Sequence, residues 1–264
     1  RLIFFLLIGM SCQSTGLLTI EADITNYLKE VSAAELDLQS DIIWVIEDAG
    51  NKPNLIGLNA NGKPTKTIRI NNAKNHDWED LTSDKQGNIY IGDFGNNNEK
   101  RKKFKILKVK HADLSKDEAI AEIVEFTLPK KQGSKDFEAF FIYNNTFYII
   151  SKETKTFFVF KVPNAIGKHE AVAVTEHKFK GKNNRITAAD ISADGKTIVL
   201  LNHDKIWKLS DFNGDDFFSG TIEKLDFNHN SQKEGICFKT NSSVIITDER
   251  KGSQGGNIYS FKLD

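Results

Sequence analysis

Asn75–Asn98, NHDWEDLTSDKQGNIYIGDFGNNN, decides the fold. Trp78–Thr82 reads as a short strand that carries Glu79 and Asp80 near its start. Asp84-Lys85-Gln86-Gly87-Asn88 is a turn, because Gly87 can take the positive φ that such turns need. Ile89–Ile91 is a second strand of β-branched and aromatic residues. Asp93-Phe94-Gly95-Asn96 then leaves the sheet. Four further segments share this plan: SAAELDLQSDIIWVIEDAGN, DFEAFFIYNNTFYIISKE, ITAADISADGKTIVLLNHD and KEGICFKTNSSVIITDER. Aligned on Glu79, the anchors are Ala34, Glu79, Glu138, Ala189 and Glu234, spaced 45, 59, 51 and 45 residues apart. Such spacing describes a repeat with variable loops.

Each copy continues with two more strands: Asn54–Asn59 and Thr65–Ile70, Phe104–Lys110 and Ala121–Leu128, Thr156–Val162 and Ala171–Phe179, Lys205–Leu209 and Gly220–Phe227. The fifth copy adds only Asn257–Leu263. The strand left without a unit is Gly16–Ala22 (GLLTIEA), at the other end of the chain. The expected fold is therefore all-β, a five-bladed propeller of four-stranded blades whose last blade is closed by the N-terminal strand. Closure removes the exposed edges that a linear sheet array would leave. Trp44 and Trp78 are expected to pack between blades. Asn26–Val31 and Asp113–Ala119 have room for single helical turns at most.

The charge is balanced, with 36 basic and 36 acidic residues. That argues against nucleic acid as a partner, which calls for a basic surface. The run Glu99-Lys100-Arg101-Lys102-Lys103 reads as a solvated loop tip. Leu2–Ile8 (LIFFLLI) behind Arg1 is too short to span a bilayer and fits an export signal. The first residue is Arg, so the natural start is expected upstream. Residues 1–12 form the signal segment and residues 13–264 one propeller domain. Cys237 lies in the apolar run Gly235-Ile236-Cys237-Phe238 and reads as a buried small hydrophobe.

Two resemblances add to this reading. Gly9-Met10-Ser11-Cys12 resembles a bacterial lipoprotein signal, which implies lipidation at Cys12; the alternative is an ordinary cleavable signal. The implied location is the periplasm or outer membrane, held by a lipid anchor, with the propeller a monomer. The Asp77–Asn96 block, Trp44–Asn51 and the Glu234-Gly235-Ile236 turn resemble the SdiA-regulated and esterase-like-phytase propeller families. That resemblance implies a propeller, often with bound calcium, and no catalytic set that transfers residue by residue.

Equivalent positions on inner strands form rings around a propeller axis. The anchor ring places Glu79, Glu138 and Glu234 together, where their mutual repulsion calls for a cation. Oxygen-only donors select Ca²⁺ or Mg²⁺. A second ring of Asp48, Asp93, Ser151, His203 and Asp248, with His76 nearby, is the expected ligand-binding set. The competing expectation is structural pairing of the glutamates with Lys135, Lys233 and Arg250. HExxH, GxSxG and P-loop patterns are absent from the sequence. The functions that remain are binding of a small molecule or an envelope protein through a central Ca²⁺ site, structural assembly in an envelope complex, and metal-assisted hydrolysis of an ester, lactone or phosphoester.

Overall fold

A computed structural model describes residues 14–37 and 39–264; the signal segment and Cys12 lie outside the described residues. The chain forms five sheets. Strand β1 (Thr19–Asp23) precedes blade 1, which is β2 (Val31–Asp37), β3 (Ile42–Glu47), β4 (Asn54–Leu58) and β5 (Pro64–Ile70). Blade 2 is β6 (Trp78–Ser83), β7 (Ile89–Asp93), β8 (Phe104–Val109) and β10 (Glu122–Thr127), with β9 (Glu118–Ala119) in its last loop. Blade 3 is β11 (Phe137–Tyr143), β12 (Thr146–Ser151), β13 (Phe157–Pro163) and β15 (Val172–His177), with β14 (Gly167–Glu170) before its outer strand. Blade 4 is β16 (Ala188–Ile191), β17 (Thr197–Leu201), β18 (Lys205–Ser210) and β19 (Thr221–Asp226). Blade 5 is β20 (Lys233–Thr240), β21 (Ser243–Asp248), β22 (Asn257–Lys262) and the N-terminal β1.

The expected closure is present. β1 pairs antiparallel with β22, from Thr19 opposite Ser260 to Asp23 opposite Asn257. Each inner strand packs on the inner strands of both neighbouring blades, so β2, β6, β11, β16 and β20 make a closed ring. Large apolar side chains fill the gaps between blades. Trp44 of blade 1 and Trp78 of blade 2 lie fully buried in one cluster with Leu55, Ile68 and Leu81. Cys237 is buried and free. Among the described residues the only helical segments are two short 3₁₀ turns, His111–Asp113 and Lys130–Gln132.

Two strands were not legible in the repeat. β9 leaves the loop of blade 2 to pair in parallel with β5 of blade 1. β14 of blade 3 does the same against β10 of blade 2. Both cover an outer edge that would otherwise stay open.

The anchor register differs from the sequence alignment in two blades. Four inner strands carry a bulge at the same point, and the extra residues are Ser32, Glu79, Glu138 and Glu234. In blade 4 the matching residue is Thr187, whose N–H bonds Leu201 O at 3.0 Å. Ser32 and Thr187 thus replace Ala34 and Ala189 in the anchor ring. A slip of two residues keeps every side chain on its own face, so the hydrophobic pattern does not detect it. The second ring shifts by one for the same reason, to Glu47 opposite Val31 and to Asn202 after Leu201. The hydroxyls also explain why two blades need no glutamate there. Ser32 Oγ donates to Trp78 O at 2.9 Å and Thr187 Oγ1 to Lys233 O at 2.7 Å, each tying its blade to the next.

Deeper in the channel, buried carboxylates stitch the ring. Asp80 accepts the N–H of Phe140 at 3.0 Å and of Ala189 at 3.3 Å, reaching blades 3 and 4 from blade 2. Asp190 accepts the N–H of Phe238 in blade 5 at 2.7 Å. Glu35 accepts the hydroxyl of Ser83 at 2.6 Å, joining blades 1 and 2.

Candidate metal centre at the channel mouth

All five inner strands start at one end of the channel, the mouth. There Asp48, Asp77 and Glu79 each bring one carboxylate oxygen within 4.8 Å of the others. Glu79 is buried, while Asp48 and Asp77 are half-buried. Among the described residues this is the one group of His, Cys, Asp or Glu close enough to share an ion.

Local sequence builds this corner. Asp48 follows β3 in the turn Asp48-Ala49-Gly50-Asn51, and its carboxylate accepts the N–H of Ala49. Asn75 then binds that turn to blade 2. Its amide donates to Glu47 O at 2.7 Å and Asp48 O at 2.9 Å, and its oxygen accepts the N–H of Trp78 at 3.1 Å. Asp77 is fixed by its carbonyl, which accepts the N–H groups of Phe94 and Gly95, both at 3.1 Å. Gly95 lets the Asp77 and Glu79 carboxylates lie directly against its backbone. A Cβ there would lie within 2.6 Å of Asp77 Oδ2 and closer still to Glu79 Oε1. Any side chain at position 95 would press on the two carboxylates.

The expected partnership of Glu79, Glu138 and Glu234 is only partly realised. Glu138 binds Lys152 Nζ at 2.7 Å, and this ammonium also feels Glu234 and Glu79. The ring that called for a cation has one of its own, supplied by the residue after β12. Lys152 was missed because nothing in its local sequence, Ser151-Lys152-Glu153, distinguishes it from a surface lysine. Glu234 faces His203, whose Nε2 is 3.7 Å away, beyond hydrogen-bond reach. The pairing expected with Lys135, Lys233 and Arg250 does not occur. Lys135 lies 3.5 Å from Glu153, Arg250 binds Asp23, and Lys233 bonds His203 O, His229 and Ser231.

The other expected ligand residues divide. Asp48 joins the ion corner. Asp248 is fully buried, taking the Tyr259 hydroxyl at 2.9 Å and the Asn257 N–H at 2.8 Å. Ser151 caps the Phe158 N–H at 3.0 Å. Asp93 is buried between Arg101, at 3.0 Å, and His76 Nδ1, at 3.2 Å. Arg101 also donates to Asp93 O and Gly95 O, so it clamps the loop that carries Gly95. His76 keeps 55% of its side chain exposed, next in sequence to Asp77.

The mouth holds more negative charge than it neutralises. Burial, followed by the Glu138, Asp48 and Asp77 charges, pushes the Glu79 carboxyl well above its usual range. Burial and then Asp48 raise Asp77 to about 6. Burial raises Glu138 to about 8, with Lys152 opposing and Glu234 assisting. Glu249 reaches about 9 through burial and the Glu234 charge. Glu234 goes the other way. Burial opposes its charge, but His203, Lys152 and Glu249 together hold it below the usual range. Carboxyls that retain protons near neutrality are groups whose charge a divalent cation can compensate. The donors at Asp48, Asp77 and Glu79 are all oxygen, which fits Ca²⁺ or Mg²⁺.

Comparison with known proteins places the fold. No protein-family model and no curated protein matches the chain by sequence. Among solved structures, the PQQ-bound aldose sugar dehydrogenase of Streptomyces coelicolor superposes with a TM-score of 0.54 at 7% identity, covering 94% of this chain and 98% of that one. A protein assigned to the gluconolactonases gives 0.50 at 13% identity, covering 87% and 72%. A gluconolactonase of Xanthomonas campestris gives 0.49 at 9%, covering 88% and 71%. At these identities the similarity is one of fold: the chain is a β-propeller structurally related to lactonase and sugar-dehydrogenase propellers.

Proposed function

We propose that this chain is an exported, lipid-anchored propeller that holds a Ca²⁺-type cation with Asp48, Asp77 and Glu79 and uses it to bind a small polar ligand at the channel mouth. The observation that carries the reading is the convergence of those three oxygens within 4.8 Å, with Asp77 and Glu79 packed against the backbone of Gly95. Surrounding carboxyls with raised pKa supply hydrogen-bond donors and acceptors for such a ligand. Lys152 and the clamp of Arg101 on the Gly95 loop hold the corner in shape. The resemblance of the Asp77–Asn96 block to the SdiA-regulated and esterase-like-phytase propellers supports a calcium-bearing propeller. The apolar run before Cys12 supports export and anchoring.

A second reading, metal-assisted hydrolysis of an ester, lactone or phosphoester, is favoured by His76. Its Nδ1 faces the buried Asp93, which leaves Nε2 as a base beside the cation corner. An envelope protein as the bound partner is the remaining alternative.

The test is a melting curve in EDTA and across a Ca²⁺ series. The cation should raise Tm by mass action on the folded state, and Asp77→Asn should abolish the response while the protein stays folded. Identical curves in EDTA and in Ca²⁺ would overturn the cation reading. Turnover of a lactone, ester or phosphoester that EDTA and His76→Ala both remove would select hydrolysis over binding.

A further inference from the structure

Two loops at the mouth end, one between β7 and β8 and one between β10 and β11, are fastened together. Asn96 does this, donating from Nδ2 to Ser134 Oγ and to Lys135 O, both at 2.8 Å, and from its backbone N–H to Asp136 at 2.7 Å. Ser134 Oγ in turn donates to Arg101 O. The basic run 100–103 is therefore fastened to the loop that carries Lys130, Lys131 and Lys135. Arg101 is engaged by Asp93, while Lys103 and Lys135 lean on Glu125 and Glu153 at 3.9 and 3.5 Å. Lys100, Lys102, Lys130 and Lys131 are exposed, with no carboxylate partner among the described residues. In a chain of zero net charge this is a local excess of cations, which like-charge repulsion penalises unless something anionic meets it.

From this surface we propose that the paired loops dock an acidic polysaccharide, a flexible chain carrying carboxylate or sulfate groups. The type of partner follows from what the loops lack. Among the described residues the exposed large hydrophobics are Leu17, Ile20, Tyr27, Ile120, Ile166 and Val172, none of them on either loop. A lipid surface is held most firmly where apolar side chains enter the interface beside the basic ones, and single-stranded nucleic acid where exposed aromatic rings let bases stack. Four lysines on long flexible stems suit anionic groups strung at irregular spacing, each met as a point charge. The site needs no cation at Asp48, Asp77 and Glu79, so it stands or falls separately from the function proposed above.

The experiment uses immobilised alginate, a polymer of uronic acids, with EDTA present throughout to remove divalent ions. Wild-type protein should be retained at about 50 mM salt and released as salt rises. The quadruple variant Lys100→Gln, Lys102→Gln, Lys130→Gln, Lys131→Gln should pass unretained with an unchanged melting curve. A control changes net charge equally at the opposite end of the propeller: Lys63→Gln, Lys85→Gln, Lys196→Gln, Lys239→Gln. It should remain retained. Failure of the wild type to bind, equal loss in both quadruple variants, or stronger binding to phosphatidylglycerol vesicles than to alginate would each overturn the proposal.

Discussion

The deep and the mouth segments of the channel both hold buried carboxylates, and they use them in opposite ways. At depth, backbone N–H groups of the acid's own strand and of other blades meet it: Asp80 accepts from Leu81, Phe140 and Ala189, and Asp190 from Ile191 and Phe238. At the mouth, Asp48, Asp77, Glu79, Glu138 and Glu234 meet mainly one another, with the half-buried Lys152 ammonium against Glu138. Donors turn a carboxylate into a fastening. Their scarcity leaves one available to an ion or a ligand.

The largest effect should come from breaking a fastening. Asp80→Ala strands three buried N–H groups, each costing about 1–3 kcal/mol, so it should destabilise by about 4 kcal/mol or more in denaturant melts. Asp77→Asn at the mouth should change stability in EDTA by less than about 1 kcal/mol, since it removes a repelled charge. Equal losses at the two positions would erase the distinction between the two segments.

A smaller effect should appear with pH. Glu79, Asp77, Glu138 and Glu249 at the mouth, and Glu35, Asp80 and Asp190 at depth, hold protons more tightly folded than unfolded. Their contribution is therefore full below the unfolded carboxylate pKa, near 4, and is lost as pH rises through about 6 to 9. Metal-free protein should lose roughly 5 °C of Tm between pH 5 and 9. Saturating Ca²⁺ should reverse that slope, because a cation binds best to deprotonated ligands. A metal-free Tm that climbs over the same range would mean that the buried carboxyls of the channel are already compensated by the protein.

The blade plan was legible because alternating apolar residues, turns such as Asp84–Asn88 and the orphaned strand near Gly16 are local signals. The closure of β1 on β22 and the burial of Trp44, Trp78 and Cys237 followed from them. The site was legible only at Glu79 and Asp48. The bulge that carries Glu79 adds one residue to an inner strand, so counting along the chain misplaced the rings by one or two positions. Asp77 sits just before its strand, and its role depends on Asn75 and Gly95 bringing two blades together. The wording around Asn75 was available as a cue. The close approach of Asp77 and Glu79 to Gly95 is a property of tertiary packing and has no sequence period. Lys152 is illegible for the same reason, since its neighbours Glu138, Glu234 and Glu79 come from three blades.

The central claim is that a cation binds the carboxylates that the bare backbone of Gly95 allows to converge. Calorimetric titration of metal-free protein with Ca²⁺ measures it directly, for the wild type and for Gly95→Ala, whose added methyl falls on Asp77 and Glu79. The account predicts one site in the wild type and at least a tenfold weaker affinity in Gly95→Ala, with its fold retained. Equal Ca²⁺ affinity in the two proteins, or no binding heat in the wild type, would contradict it.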